Sequence, residues 1–280
     1  MKSLSVEKKM DMSYKSDIRT TEEENIEYLY PGVKIAIIMP AYNEERNIGA
    51  TLALFPKNIS DRLDIIVIDD GSCDRTCQIA RAFDTIVIKH KRNRGNGAAI
   101  QTGLDFCREH NYEIAVIIDA DGQHDPKHIE KFINPIIEED VDFVVGNRFK
   151  HYYNMSALKK LCSRMMSIFY TILLQRKVSD PTMGYRALSS KVFKNIKFES
   201  EYSITQEMLF KVVPRYNFHE ISTRIYEREY GELFIKLNKY LKKLLFSIIK
   251  FYLFPKFKKI VNLFLKDKEI ETGISKLIKT

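Results

Sequence analysis

The sequence predicts an α/β protein whose single main domain is built on a mostly parallel sheet, of the Rossmann-like kind. Three observations carry this. Short Ile- and Val-rich runs alternate with helical stretches, the order that places helices on both faces of a parallel sheet. The runs are apolar throughout rather than alternating, as strands buried on both faces are. Each closes in a turn of Gly, Asp, Asn or Ser, which ends one element before the next begins. A chain of 280 residues accommodates one such domain with an appendage.

In chain order, residues 1–32 are polar and charged, with the cluster Glu22-Glu23-Glu24 and no usable periodicity, and predict a mobile arm. A domain over 33–230 follows. Lys34 to Met39 is a β-rich run closed by Pro40, and a helix then extends through about Phe55 before Pro56. Asp64 to Ile68 is a second strand, turning at Asp69-Asp70-Gly71-Ser72, with Asp74 capping a helix to about Phe83. Thr85 to Lys89 is a third, leading through Asn93-Arg94-Gly95-Asn96-Gly97 into an Ala-rich helix ending near Cys107. Ile114 to Ile118 is the next strand. A helix from Pro126 to Glu139, a strand from Asp142 to Val145, a long helix from Ser156 to Leu174 and a final strand from Asn217 to Tyr226 complete the domain. Asp180 to Arg186 reads as a turn-rich joint.

The stretch with most chemistry is Asp119-Ala120-Asp121-Gly122-Gln123-His124, directly after the fourth strand. Ligands of a parallel sheet collect at the carboxyl ends of its strands. Two carboxylates two residues apart on an extended backbone point the same way, and crowded carboxylates are best tolerated beside a divalent cation. Oxygen donors select Mg2+ or Mn2+ over zinc. An acidic turn that merely caps the following helix is the alternative reading of an isolated Asp-x-Asp. No Gly-x-x-x-x-Gly-Lys-Ser/Thr loop and no Gly-x-Gly-x-x-Gly follows a strand, so phosphates need another device. A cation on Asp121 bridging a diphosphate, with Arg148 beside it, supplies one. Asp70 is placed to accept hydrogen bonds from a base edge.

The net charge is +8, and residues 231–280 hold twelve lysines against four acidic residues, an excess equal to that of the whole chain. There the lysines alternate with Leu, Ile and Phe, a pattern for amphipathic helices lying on an anionic membrane surface, or packing on the domain or in a homodimer. Lys242, Lys243 and Lys250 interrupt the best candidate for a spanning helix. No nucleic-acid module accompanies the basic tail, so no nucleic-acid partner is expected. The charged amino terminus lacks the apolar core of a signal peptide. Cys73, Cys77, Cys107 and Cys162 make no metal or redox spacing and read as reduced thiols, consistent with a cytoplasmic protein peripheral to the membrane.

Six segments in order, IIMPAYNEERNI (37–48), IIVIDDGSCDRT (65–76), RGNGAAIQTG (94–103), VIIDADGQHDP (116–126), VVGNR (144–148) and DPTMGYRALS (180–189), resemble the family 2 glycosyltransferases. The spacing is similar to the branch that includes dolichyl-phosphate mannose synthase and bacterial polyprenyl-phosphate glycosyltransferases. The resemblance implies a nucleotide-diphospho-sugar-binding domain of GT-A type and inversion at the anomeric carbon. It places Pro40, Tyr42 and Glu44 in the nucleotide pocket, with Ile68 and Asp70 at the base. Asp119 then faces the sugar and nucleotide, Asp121 and Gln123 hold the metal, and Arg148 meets a phosphate. Lys159 and Arg228 fall where cations for phosphate are expected, and Glu207 matches an acidic position near the acceptor. Two positions depart from the pattern: Gly95-Asn96-Gly97 replaces a Gly-Lys-Gly, and Gly231-Glu232-Leu233-Phe234 replaces a basic loop end.

The expected activity is transfer of a hexose from a UDP- or GDP-sugar to a polyprenyl phosphate. A saccharide hydroxyl acceptor is the alternative, with Glu207 as its base. A non-catalytic nucleotide-sugar-binding protein is a remote third.

Overall fold

The computed structural model describes residues 30, 32–56, 63–150, 157–201, 203–226 and 248–253, with residues 150, 157–160 and 162 described by backbone alone. The chain divides into two compact units, Met1–Val33 and Lys34–Thr280, and all the strands belong to the second.

Seven strands form one sheet in the order β3-β2-β1-β4-β6-β5-β7. They are β1 (Ile35–Ala41), β2 (Asp64–Asp69), β3 (Ile86–Lys89), β4 (Ile114–Ile117), β5 (Phe143–Asn147), β6 (Arg186–Ser189) and β7 (Phe218–Ser222). Helices α1 (Ile48–Ala53), α2 (Thr76–Arg81), α3 (Asn96–Glu109), α4 (Ile129–Glu138), α5 (Ala157–Leu174), α6 (Ser190–Asn195) and α7 (Ile204–Val212) fill the connections. The predicted strands and helices are present with ends moved by a few residues, as fraying termini allow. Pro40 lies within β1 rather than closing it, and a 3-10 turn over Pro126–His128 precedes α4.

The central strands are buried along their whole length: Ile37, Ile38, Ile66 and Val116 have no exposed surface. Each such side chain contributes ~1.5–3 kcal/mol on leaving water, which is why these Ile/Val runs form strands at all. β1 pairs parallel with β2, Ile37 opposite Ile65, and with β4, Ile37 opposite Val116. Asp69 and Ile117 therefore end at one edge of the sheet.

β6 is the strand the sequence did not predict. Its four residues, Arg-Ala-Leu-Ser, follow a turn-rich segment and offer no apolar run. It nevertheless sits between β4 and β5 and is antiparallel to both, with Ile117 opposite Arg186 and Val145 opposite Arg186 on the other side. Reversal has a direct consequence for the site. The segment that precedes an antiparallel strand emerges at the same edge as the turns that follow its parallel neighbours. Residues 180–185 are thereby delivered to the carboxyl ends of β4 and β5.

Of the basic tail, only Ile248 to Leu253 is described, where Ile249–Leu253 forms a π-helical turn. The remaining expected tail helices, the amino-terminal arm through residue 29, and Arg228 lie outside the described residues.

Candidate active site

The turn after β4 is tied down at each residue. Gly122 takes φ +76°, a left-handed conformation that glycine adopts without strain. Asp121 Oδ1 then accepts the Gln123 N–H at 3.1 Å, closing an Asx turn. The Thr51 hydroxyl of α1 reaches the Ala120 carbonyl at 3.1 Å from below. Gln123 is held from the far side: its Nε2 donates to the Tyr226 carbonyl at 3.3 Å, while Tyr226 N–H donates to the Gln123 carbonyl at 2.9 Å. Since a carbonyl only accepts, the amide's NH2 end is fixed toward Tyr226, which leaves its oxygen as the end available to a cation. Tyr226 also donates its hydroxyl to Asp125 Oδ2 at 3.0 Å.

Beneath the turn lies His124, buried. Burial pushes its imidazole down to about 4, against Asp121, which acts in the opposite direction. The Asp119 N–H donates to His124 Nδ1 at 3.3 Å, which requires the lone pair of a neutral ring there. The 3.6 Å approach of the same nitrogen to Asp119 Oδ2 is for this reason not an ion pair. A neutral ring below the carboxylates leaves their negative charge for a cation above.

The residues present fit a divalent ion of the Mg2+ or Mn2+ kind. Asp121 and Gln123 offer hard oxygens on one half-buried turn, next to Asp119. Among the described residues no group of three or more His, Cys, Asp or Glu forms a closed metal cage. A pair of protein oxygens completed by substrate phosphate and water is the pattern these ions favour.

Arg148, just past β5, is brought to the same edge. Its Nε donates to Asp180 Oδ2 at 2.6 Å, and a terminal nitrogen donates to Asp180 Oδ1 at 3.2 Å and to Thr182 Oγ1 at 3.1 Å. Asp180 is fully buried. A few residues on, Gly184 lies against Asp119: a Cβ there would sit 2.6 Å from Asp119 Oδ2. One loop thus touches both Arg148 and Asp119. Its shape is set by Arg186, a fully buried guanidinium that donates to the carbonyls of Met183 (2.7 Å), Thr205 (2.7 Å) and Pro181 (3.2 Å). Burial lowers that guanidinium to about 10, opposed by Asp180, and it remains charged at neutral pH. His124 was singled out only as part of its stretch, with no role, and Asp180, Thr182 and Gly184 are the site residues that sequence reasoning missed. Their signal was the glycine and the two charged ends of a segment read as a joint.

Three of the expected site residues are held inside the protein. Asp70 is buried and its carboxylate serves the neighbouring loop: Oδ1 accepts the Arg94 N–H at 2.9 Å and faces His90 Nδ1 at 2.7 Å, and Oδ2 accepts the Gly95 N–H at 2.7 Å. It thereby shapes the loop that opens α3. Ile68 is wholly within the sheet, opposite Pro40, with its side chain buried. Glu207 is also fully buried. It accepts the Glu199 N–H at 2.9 and 3.0 Å, the Ser200 N–H at 2.7 Å and the Lys211 ammonium at 2.7 Å. These contacts make it the anchor of the 199–201 loop, whose Glu201 carbonyl receives the Gly97 N–H of α3 at 2.6 Å.

At the end of β1 and in the turn after it, Tyr42 is half-buried, Pro40 and Glu44 are buried, and Glu44 accepts the Asn47 side chain at 2.6 Å. The turns after β1 and β2 are stitched together by Asn43 N–H to Ser72 Oγ (3.0 Å) and Glu44 N–H to Thr76 Oγ1 (2.8 Å). Lys159 lies in the first turn of α5, its side chain outside the described residues.

Comparison with known proteins follows the same lines. The model of the family described as glycosyl transferase family 2 matches residues 36–197. A UDP-N-acetylglucosamine–dolichyl-phosphate N-acetylglucosaminyltransferase of Methanococcus voltae is 36% identical over 180 residues, 57% of this chain and 71% of that protein. An undecaprenyl-phosphate mannosyltransferase of Micrococcus luteus is 27% identical over 213 residues, 71% of this chain and 86% of that protein. Among solved structures, glucosyl-3-phosphoglycerate synthase from Mycobacterium tuberculosis, crystallised with Mn2+, UDP-glucose and phosphoglyceric acid, superposes with a TM-score of 0.64. It covers 83% of this chain and 84% of its own at 20% identity, a likeness of fold. With its fold shared by a glycosyltransferase structure and its sequence matched across β1 to α6, the chain belongs to glycosyl transferase family 2, in the branch that resembles the polyprenyl-phosphate glycosyltransferases.

Proposed function

We propose that the protein moves a hexose from a UDP- or GDP-sugar to the phosphate of a polyprenyl lipid, with inversion, at a membrane surface. The observation that carries the choice of acceptor is the burial of Glu207. A hydroxyl acceptor needs a carboxylate to take its proton, and the residue nominated for that task accepts two backbone N–H groups and a lysine inside the protein. A lipid phosphate is already anionic and needs positioning instead. The two relatives just described carry dolichyl phosphate and undecaprenyl phosphate in their names.

In this reading an acceptor phosphate oxygen attacks the anomeric carbon as the bond to the nucleoside diphosphate breaks on the opposite face, and no proton changes hands. Asp119, set against Gly184, faces the sugar. Arg148, aligned by Asp180 and Thr182 through Nε and one terminal nitrogen, orients a phosphate through its other terminal nitrogen. Asp121 and Gln123 hold the divalent ion, which supplies positive charge to the departing diphosphate when bound. Lys159 and Arg228 are further cations for phosphate, and Tyr42 and Glu44 line the nucleotide side. No helix among the described residues is long and apolar enough to cross a membrane, and contact with the lipid is peripheral in this proposal, on the cytoplasmic face.

The test offers purified protein a panel of radiolabelled UDP- and GDP-sugars with polyprenyl phosphate and follows label into the organic phase. Transfer from one donor class supports the reading. Label appearing only in water-soluble glycan overturns it in favour of a hydroxyl acceptor.

A further inference from the structure

The described part of the tail closes on the catalytic domain through a circuit of five residues. Its π-helical turn packs on α7, with the Tyr252 and Phe210 rings 5.7 Å apart. Beside this contact the Lys211 ammonium of α7 lies 5.4 Å from the centre of the Phe251 ring, and the Lys250 ammonium 5.0 Å from the same centre. Both are within reach of the attraction between a cation and an aromatic face. Two ammonium groups around one ring repel each other, but each has its own carboxylate. Lys211 meets Glu207 at 2.7 Å and Lys250 meets Glu199 at 3.5 Å. Glu199 donates its backbone N–H to Glu207 at 2.9 Å, which closes the circuit.

The Glu207 end of this circuit is fully buried, whereas the Glu199 carboxylate is exposed. A carboxylate inside the protein is tolerated only while its partners stay in place. Lys211 is kept there by a bond to the Lys197 carbonyl at 2.8 Å and by the Phe251 ring, which takes the place of water that would compete for the ammonium.

Glu207 in turn fixes the 199–201 loop, against which the amino end of α3 rests. There is no slack at that contact: the Gly97 N–H donates to the Glu201 carbonyl at 2.6 Å, and a Cβ on Gly97 would lie 1.9 Å from the Ser200 carbonyl oxygen. Just before Gly97, the Arg94 and Gly95 N–H groups are held by Asp70, in the turn that is stitched to Asn43 and Glu44. We infer that Phe251 is a positioning residue for the nucleotide side of the site. It keeps Lys211 on Glu207, and through the 199–201 loop it sets where residues 94–97 stand. The inference rests on the proposed reaction for the nucleoside diphosphate bound there, and it gives the tail a task separate from the expected contact with a membrane.

Full-length Phe251→Leu keeps apolar volume and loses the aromatic face, while Phe251→Tyr keeps both. Hydrogen exchange of the free protein reads the coupling directly. In Phe251→Leu the amides of 94–101 and 199–201 should exchange at least about threefold faster, with those of α4 and the melting temperature unchanged. Phe251→Tyr should exchange like the wild type. Calorimetry with UDP and with GDP in the presence of Mn2+ reads the consequence for binding. The Kd of whichever nucleotide binds the wild type should rise about threefold to tenfold in Phe251→Leu and stay within about twofold in Phe251→Tyr. Unchanged exchange at 94–101 in Phe251→Leu would overturn the inference. So would faster exchange with an unaltered Kd, or an equal acceleration in α4, the mark of a general loss of stability. A wild type that binds neither nucleotide would sink the proposed donor, and the exchange of 94–101 would then decide the coupling by itself.

Discussion

Arg148 meets Asp180 side-on, through Nε and one terminal nitrogen to the two carboxylate oxygens, where the end of β5 and the loop before β6 reach the same ligand edge. The carboxylate is buried and the guanidinium side chain keeps about a fifth of its surface exposed. In the proposed reaction this geometry makes Asp180 a positioning residue: it holds two guanidinium nitrogens and leaves the third for a phosphate. Arg148→Lys preserves charge and loses the fork, so kcat should fall by about tenfold to a hundredfold. Asp180→Asn should lower kcat by about tenfold while the donor KM stays within about twofold. Steady-state rates against donor concentration check both, and a pure KM effect would show that Arg148 only binds.

The aspartate turn predicts a metal response. Chelation should abolish transfer and added Mn2+ or Mg2+ restore it. Asp121→Ala should cost at least about a hundredfold in kcat/KM, and Gln123→Ala should raise the Mn2+ concentration needed for half-maximal rate. Titration of rate against metal reads both effects, and metal-independent turnover of the Asp121 variant would remove the assignment.

Gly184→Ala inserts a methyl group 2.6 Å from Asp119 Oδ2, closer than any real contact. Either the carboxylate or the loop must move. Displacements on this scale at a reacting centre cost about a hundredfold in rate. Activity should collapse well before the melting temperature does, and the two are measured on the same sample.

Glu207→Gln tests the anchoring role. An amide NH2 in place of one carboxylate oxygen sets a donor against the Glu199 and Ser200 N–H groups, at a cost of about 1–3 kcal/mol. The melting temperature should drop by about 2–4 °C for each kcal/mol. The pH dependence of turnover should keep its shape, which it would not if Glu207 were the base.

Asp74 caps α2 from just outside it, accepting the Thr76 N–H at 3.0 Å and the Glu45 N–H at 3.1 Å. Partial burial raises its carboxyl, but these bonds and that from the Thr76 hydroxyl prevail and hold it below its ordinary value of 3.8. A folded-state value below the unfolded one means stability that is fully present above about pH 4 and lost as the pH falls through the folded value. Asp74→Ala should cost about 1 kcal/mol at neutral pH and progressively less in acid. Denaturant melts at two pH values measure the difference.

Much of the fold was written locally. The runs at Ile37, Ile66, Val116 and Val144 are apolar for as long as a buried strand needs, and the turns after them are rich in Gly and Asp. Asp121 and Gln123 could be nominated from the sequence for the same reason, since a turn's chemistry lies in its own residues. β6 was not, because four mixed residues become a strand only once β4 and β5 offer a slot between them. The fates of Asp70 and Glu207 depend on which distant N–H groups arrive beside them, Gly95 in one case and Ser200 in the other. Spacing along the chain does not carry that information. Asp180 was read as one charged end of a turn because its partner lies thirty-two residues away.

The backward entry of β6 has a consequence for how such proteins diversify. In the proposed reaction the donor meets the turns after β1 and β4, whereas the 180–185 segment arrives from the opposite chain direction and is held by Arg186. Variation within that short loop would reach Asp119 and Arg148 at once while leaving the turns after β1 and β2 as they are.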